Sequence, residues 1–389
     1  GGACAWLVVD QDDVDPLGIE APVRDARGAL TAGTIRFGEE RSPSVPPSVR
    51  DAVEPGGNHA DVGLALPALR ERVESIRGAL RARADERTLA KQVVRANLDL
   101  LGDLIPDAPI VYASELNGTA LFRELFEMMS SDPGRTVSAY NEAAREHPEA
   151  GIAPLRIDLD EGLFELPLWS IEPNRERRRV YAHDLPEIDP STLSPRALMV
   201  TLLVRLAGCD LFVHGTGGAS YDRVTESWAR GWLGRELAPS VSITADLTLP
   251  LHTRAVDESD VADARWRAHS ARHNPALLGD ESAQREKEGL LESIAESRSR
   301  GEDPAPQFSK LHEDRERHES AHADELRALD ERAAELARLF SEREIAQRRD
   351  WPTVLYGTDP LRALNARIRD AIDDGNIEDS GAPALSRSR

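Results

Sequence analysis

Apolar positions along the chain change period several times, and each change marks an element. Residues 3–10, ACAWLVVD, form a short run rich in β-formers, which predicts a buried strand rather than a helix. It ends in the acidic stretch DQDDVDP. Residues 15–60 are rich in Pro and Gly and predict turns, short strands and a surface loop. Helical spacing returns over residues 63–104, enough for two helices, before the extended segment APIVYAS. The next helix covers residues 118–130, with Leu121, Leu125, Met128 and Met129 on one side. Ser131 or Asp132 ahead of Pro133 marks the start of another, because Pro fits best at a first helical position. Over residues 152–185 the period shortens, and PLRIDLD, LFELPLWSI and RRRVYAHD predict antiparallel strands. A helix from near Pro195, in SPRALMVTLLVRLAG, then leads into CDLFVHGTGGASYDRVTESW.

Beyond residue 255 the chain turns charged and alanine-rich. His322, Leu326, Leu329, Ala333, Leu336 and Phe340 recur at the a and d spacing of a coiled coil, and SRGEDPAPQ supplies a hairpin turn before them. The expected fold class is α/β: a Rossmann-like core, a mixed α/β insertion and a C-terminal antiparallel helical hairpin. The core is expected over residues 1–55 and 186–255, the insertion over 56–185, and the hairpin over 256–350. A closing segment and helix occupy 351–375, with a disordered tail over 376–389.

Composition narrows the functional classes. The chain has 389 residues and a formal charge of −21, which argues against a phosphate-backbone binder and so against nucleic acid as a partner. Only local basic sites remain, and the densest is Arg175, Arg177, Arg178 and Arg179, either a solvated hairpin or a gatherer of anions. Cys4 and Cys209 cannot outline a disulfide framework, so a reducing cytoplasm is the expected compartment. No apolar run reaches the ~18 residues of a membrane span. The chain starts GGACAWLVVD, without Met and almost inside a strand, so a preceding segment is expected.

Two strand ends carry the candidate chemistry. In LFVHGTGGASYD a strand of Leu211–Val213 runs through His214 and the turn Gly215, Thr216, Gly217 and Gly218 into a helix holding Tyr221 and Asp222. Unpaired N–H groups at such a helix start favour a phosphate or carboxylate. The alternative is a tight turn whose glycines only permit close packing. His214 either orients a ligand and exchanges a proton or bonds to loop backbone; Asp222 either serves the ligand or caps the helix and pairs with Arg223 or Arg205. In VVDQDD, Asp10, Asp12 and Asp13 repel one another unless a metal, an Arg or a ligand amine neutralises them. Asp10 and Asp12 are the candidate catalytic carboxylates, against the alternative of a solvated acidic loop. No zinc-type histidine spacing accompanies this strand end, and no metal site is expected. Asn117 could add a polar group to a cleft, or cap the next helix together with or in place of Thr119.

The layout resembles the cysteine ligases of bacillithiol biosynthesis. The likeness rests on Pro195 and Arg196, on Gly215, Gly217, Gly218 and Tyr221, and on WLVVDQDD before them. HGTGGASYD also resembles a group of uncharacterised bacterial proteins that share that signature. The ligase turn reads closer to Gly-Pro-Gly-Glu, whereas here His214 precedes it and Asp222 follows Tyr221, and the family's N-terminal glycine segment is absent. The resemblance implies a Rossmann-like core, a C-terminal coiled coil and carbon–nitrogen ligation of an amino acid, with ATP or ADP as a candidate cofactor. The expected partner is then a small anionic substrate. The alternative function is a non-catalytic scaffold that forms a homodimer through the coiled coil.

Overall fold

The computed structural model describes residues 2–12, 14–38, 45–56, 63–215 and 218–373, with the backbone alone at Ala219. The expected tail over 376–389 lies outside them. The chain is a mixed α/β protein. Strand β1 (Trp6–Val8) is followed by the antiparallel hairpin of β2 (Gly18–Arg24) and β3 (Leu30–Arg36), then by helices α1 (Pro67–Ala82) and α2 (Leu89–Leu101). Strand β4 (Ile110–Tyr112) returns parallel to β1, Trp6 opposite Ile110. Helix α3 (Ala120–Ser131) starts at Thr119, whose hydroxyl accepts from Phe122 N, and α4 (Pro133–Glu146) starts at Asp132, whose carboxylate accepts from Arg135 N.

Strands β5 (Ile157–Asp158), β6 (Leu163–Ser170), β7 (Arg178–Tyr181) and β8 (Leu193–Pro195) form one antiparallel sheet in which β6 pairs with the other three. Helix α5 (Ala197–Leu203) runs on into a π-turn over Val204–Gly208. Strand β9 (Phe212–His214), helix α6 (Ala219–Leu233) and strand β10 (Ser240–Ser242) then make a βαβ unit, with β9 and β10 parallel.

The larger core lies among α3–α6, β6 and β8. Trp228 and Trp232 stack there at 5.3 Å, and Tyr140 meets Trp228 edge-on at 5.2 Å. A second core packs β2 and β3 against α1, α2 and Trp351, Leu355 and Tyr356.

Two expectations of burial are corrected. Leu211 and Val213 are each 53% exposed, and Trp6 and Val9 are exposed as well. The reason is topological: each strand of the two parallel pairs has one hydrogen-bonded neighbour, so sheet covers it on one edge only. Among the described residues the pairs are not joined in one continuous sheet.

The C-terminal excursion has four helices, α7 (Glu258–Ala271), α8 (Glu281–Ser299), α9 (Ala305–Ala321) and α10 (Ala323–Gln347). Helix α8 packs on α9 and α7 on α10, so both arms are broken near the same level. The turn between α8 and α9 falls within SRGEDPAPQ, and Gly301 takes a φ of +70° there. His322, predicted as the first seam residue, instead sits at the break between α9 and α10. Further along the seam Leu326 and Ala333 are buried and Leu329, Leu336 and Phe340 half-buried, while Leu339, off the seam, is buried in a cluster with Val256 and Val261. Helix α11 (Thr358–Asp373) closes the chain.

Candidate functional site

His214 ends β9 and faces the first turn of α6. Its Nε2 lies 2.5 Å from Asp222 Oδ2 and its Nδ1 2.8 Å from Gly215 O. A carboxylate and a carbonyl only accept, so either ring nitrogen finds an acceptor for its proton. Asp222 is buried and also lies 3.3 Å from Arg205 Nη1, an ion pair whose angle is not that of a hydrogen bond. Arg205 comes from the π-turn after α5, donates from Nε to Ala238 O at 2.8 Å and reaches Glu226 at 2.5 Å. The result is a chain of polar contacts, His214–Asp222–Arg205–Glu226, with its arginine almost wholly buried.

Gly218 shows why this turn needs glycine. A Cβ there would lie 2.0 Å from His214 Nδ1, so the missing side chain is the space that the imidazole occupies. Its φ of −85° is open to any residue, and the requirement is purely one of room. Gly215 has open space around a Cβ. Thr216 and Gly217 lie outside the described residues. Among the described residues no side-chain hydrogen bond caps α6 at Gly218, and Tyr221 is exposed in its first turn. Ile243 N donates to His214 O at 2.9 Å, which fixes the ends of β9 and β10 side by side.

The acidic strand end is a clasp. Asp10 is buried and accepts from Ser114 N at 2.9 Å and Ser114 Oγ at 2.5 Å; loss of water pushes its carboxyl above the usual range, although both donors pull the other way. Gln11, buried beside it, donates to Pro195 O and accepts from Ser194 Oγ. Asp12 is neutralised by Arg177 at 3.1 Å, and Asp13 lies outside the described residues. β1 is thereby tied to the turn after β4, to β8 and to the segment before β7.

The arginine cluster is spent on carboxylates. Arg175 and Arg178 pair with Glu172, at 3.1 and 2.8 Å, while Arg179 reaches the buried Glu165 at 3.3 Å. Arg196, a position of the family resemblance, holds Glu165 at 2.6 Å, and Arg177 and Arg196 both lie over the Trp169 ring, at 4.5 and 4.4 Å. Asn117 donates to Ser191 O at 3.1 Å and Leu193 O at 2.8 Å, stapling the turn before α3 to β8. Among the described residues no hydrogen bond or ion pair joins Asp10, Asp12 or Asn117 to His214, Tyr221 or Asp222.

One cluster was missed at the sequence level. Zinc-type histidine spacing does occur, far from Asp10, in H-E-S-A-H at 318–322. The fold brings Asp280 to these two histidines, with one ligand atom from each residue within 4.8 Å of the others. The i, i+4 pair was visible in the chain, but its reading as a coiled-coil position hid it, and Asp280 lies too far away in sequence for spacing to suggest it. No protein-family model and no curated protein matches this chain.

Proposed function

We propose that the β9–α6–β10 unit binds the phosphate or carboxylate of a small ligand, and that the chain is a ligase-like enzyme joining an amine to a carboxylate. The observation that carries the binding reading is His214, held at the carboxyl end of a parallel strand by a buried aspartate and set beside the start of α6, whose N-cap is the glycine Gly218. His214 is fixed at this turn by its contacts to Asp222 and Gly215, and the first amides of α6 supply partial positive charge toward an anion. Asp222 is paired with Arg205 at 3.3 Å, which offsets its charge toward an anion. Tyr221 supplies an exposed ring and hydroxyl at the same helix start. The βαβ crossover is the repeating unit of a Rossmann-like core, and the ligation chemistry, with ATP or ADP as cofactor, comes from the family resemblance. Asp10 and Asp12 enter this reading as the clasp that sets β1 against β4 and β8, since their oxygens are already engaged.

Isothermal titration of the chain with ATP, ADP and small carboxylates tests the site. Binding of at least one of these is expected, weakened about tenfold or more in Gly218→Ala, whose methyl group would displace His214. Absence of binding for all of them, or equal binding by the variant, overturns the reading.

A further inference from the structure

We infer that Asp280, His318 and His322 form a divalent-metal site of the zinc class, joining the two arms of the helical excursion where both are broken. Asp280 is the N-cap of α8 on the outgoing arm; His318 lies in the last turn of α9 and His322 follows that helix on the returning arm. The three ligand atoms lie within 4.8 Å of one another. Four-coordinate zinc with bonds of about 2.0–2.1 Å sets its ligands about 3.4 Å apart, so side-chain movements of about 1 Å complete the set.

The second observation is the state of His318. Its residue is only 6% exposed, and its Nε2 lies 2.9 Å from Ala271 O, the last residue of α7. A carbonyl accepts, so Nε2 carries a proton, and in the neutral ring that a metal would bind Nδ1 offers the lone pair. That Nδ1 is buried and has no hydrogen-bond partner. A buried polar atom without a partner is rare, and a cation bound by Nδ1 would give it one. His322 stands between two carboxylates: Nε2 lies 3.9 Å from Asp280 Oδ2, and Nδ1 lies 3.8 Å from Glu325 Oε1. For His318, a carbonyl on the second ring nitrogen is how protein metal sites orient imidazole ligands.

Two nitrogens and one carboxylate suit zinc or a neighbouring first-row ion better than calcium or magnesium, which prefer all-oxygen shells. Three protein ligands leave a fourth position. Asp280 and His318 also line a cavity of about 290 Å³ together with Lys287 and His312, so that position has room for water or a small ligand. Glu319 completes the H-E-x-x-H pattern, but it is paired with Arg315 at 3.5 Å. The inference is therefore a metal tie between the arms and not peptide hydrolysis.

Titration of the metal-free chain with Zn²⁺ alone, followed calorimetrically, should show one tight site per chain. Asp280→Asn keeps an acceptor for Ala283 N and so keeps the α8 cap, which makes it the variant that separates ligation from folding. Its Zn²⁺ affinity is expected to fall by at least about tenfold with unchanged helix content, and His322→Ala should fall by about 100-fold or more. His183→Ala, at an exposed histidine outside the cluster, should bind as the parent does. Zn²⁺ should also slow amide exchange at 281–284 and 318–326 in the parent chain. No site in the parent, equal affinity in Asp280→Asn and His322→Ala, or binding without protection of those amides overturns the inference.

Discussion

Asp10 is a carboxylate that has lost most of its water and kept two donors. Burial outweighs the Ser114 hydrogen bonds and sets its carboxyl above the usual range. The folded chain then holds this proton more readily than the unfolded one. Its contribution to stability is full below the ordinary Asp value of about 3.9 and is lost as pH rises through the raised value. Asp10→Asn still accepts from Ser114 N and can donate to Ser114 Oγ without ionising. Its stability relative to the parent should therefore grow as pH rises through that window, measured by urea unfolding at several pH values; a flat difference would refute this account. Asp10→Ala strands the Ser114 N–H and should cost about 1–3 kcal/mol. The sequence marked residue 10 through its charge and strand position, and the demand for neutralisation was met at Asp12 by Arg177. Asp10's partner was not legible, because Ser114 is an unremarkable residue made relevant only by β1 pairing with β4. Likewise a glycine at 218 could be read as part of a turn, but its reason is the imidazole lying against it.

At the scale of elements, Arg205 joins the end of α5 to α6 and to the segment before β10. Removing one partner of a buried charge network typically costs about 3–5 kcal/mol, because the remaining charges stay desolvated. Arg205→Leu should lose about that much in urea unfolding, and Glu226→Gln much less, since Glu226 is partly exposed. Equal losses would mean that burial of Arg205 does not govern the network. Elements whose signals are local were legible. Asp132 with Pro133 opens α4, Thr119 caps α3, and the glycine turn separates α8 from α9. What failed was burial in β1 and β9: an apolar run predicts a strand, while the number of its neighbours depends on sheet order, which local pattern does not encode. Of the predicted heptad seam Leu326 and Ala333 are buried, but its first position fell on a helix break, because a heptad count runs on across a break in the helix.

For the whole molecule, the helical excursion leaves and rejoins at one place. Arg343 Nη1 donates to Val256 O at 2.7 Å and also reaches Asp257, so the first and last turns touch. Leu249 before the excursion and Trp351, Leu355 and Tyr356 after it belong to the same core. Replacing residues 258–342 by a short Gly–Ser linker should therefore leave a folded remainder that melts within about 5 °C of the full chain, as read by calorimetry. A remainder that is unfolded would show instead that the excursion helps to build that core. Among the described residues no helix is long and apolar enough to cross a membrane.

The anchoring has a mechanical consequence. With both ends fixed in one core, and Arg348 bonding Glu20 of the β2–β3 hairpin at 2.8 Å, the excursion is a cantilever. A force at its tip near Gly301 reaches the body as a torque about that clamped root, where β3 and α1 share the load. The breaks near 272–280 and 322 interrupt the helices along the beam. A tie across them would decide how much of the torque arrives.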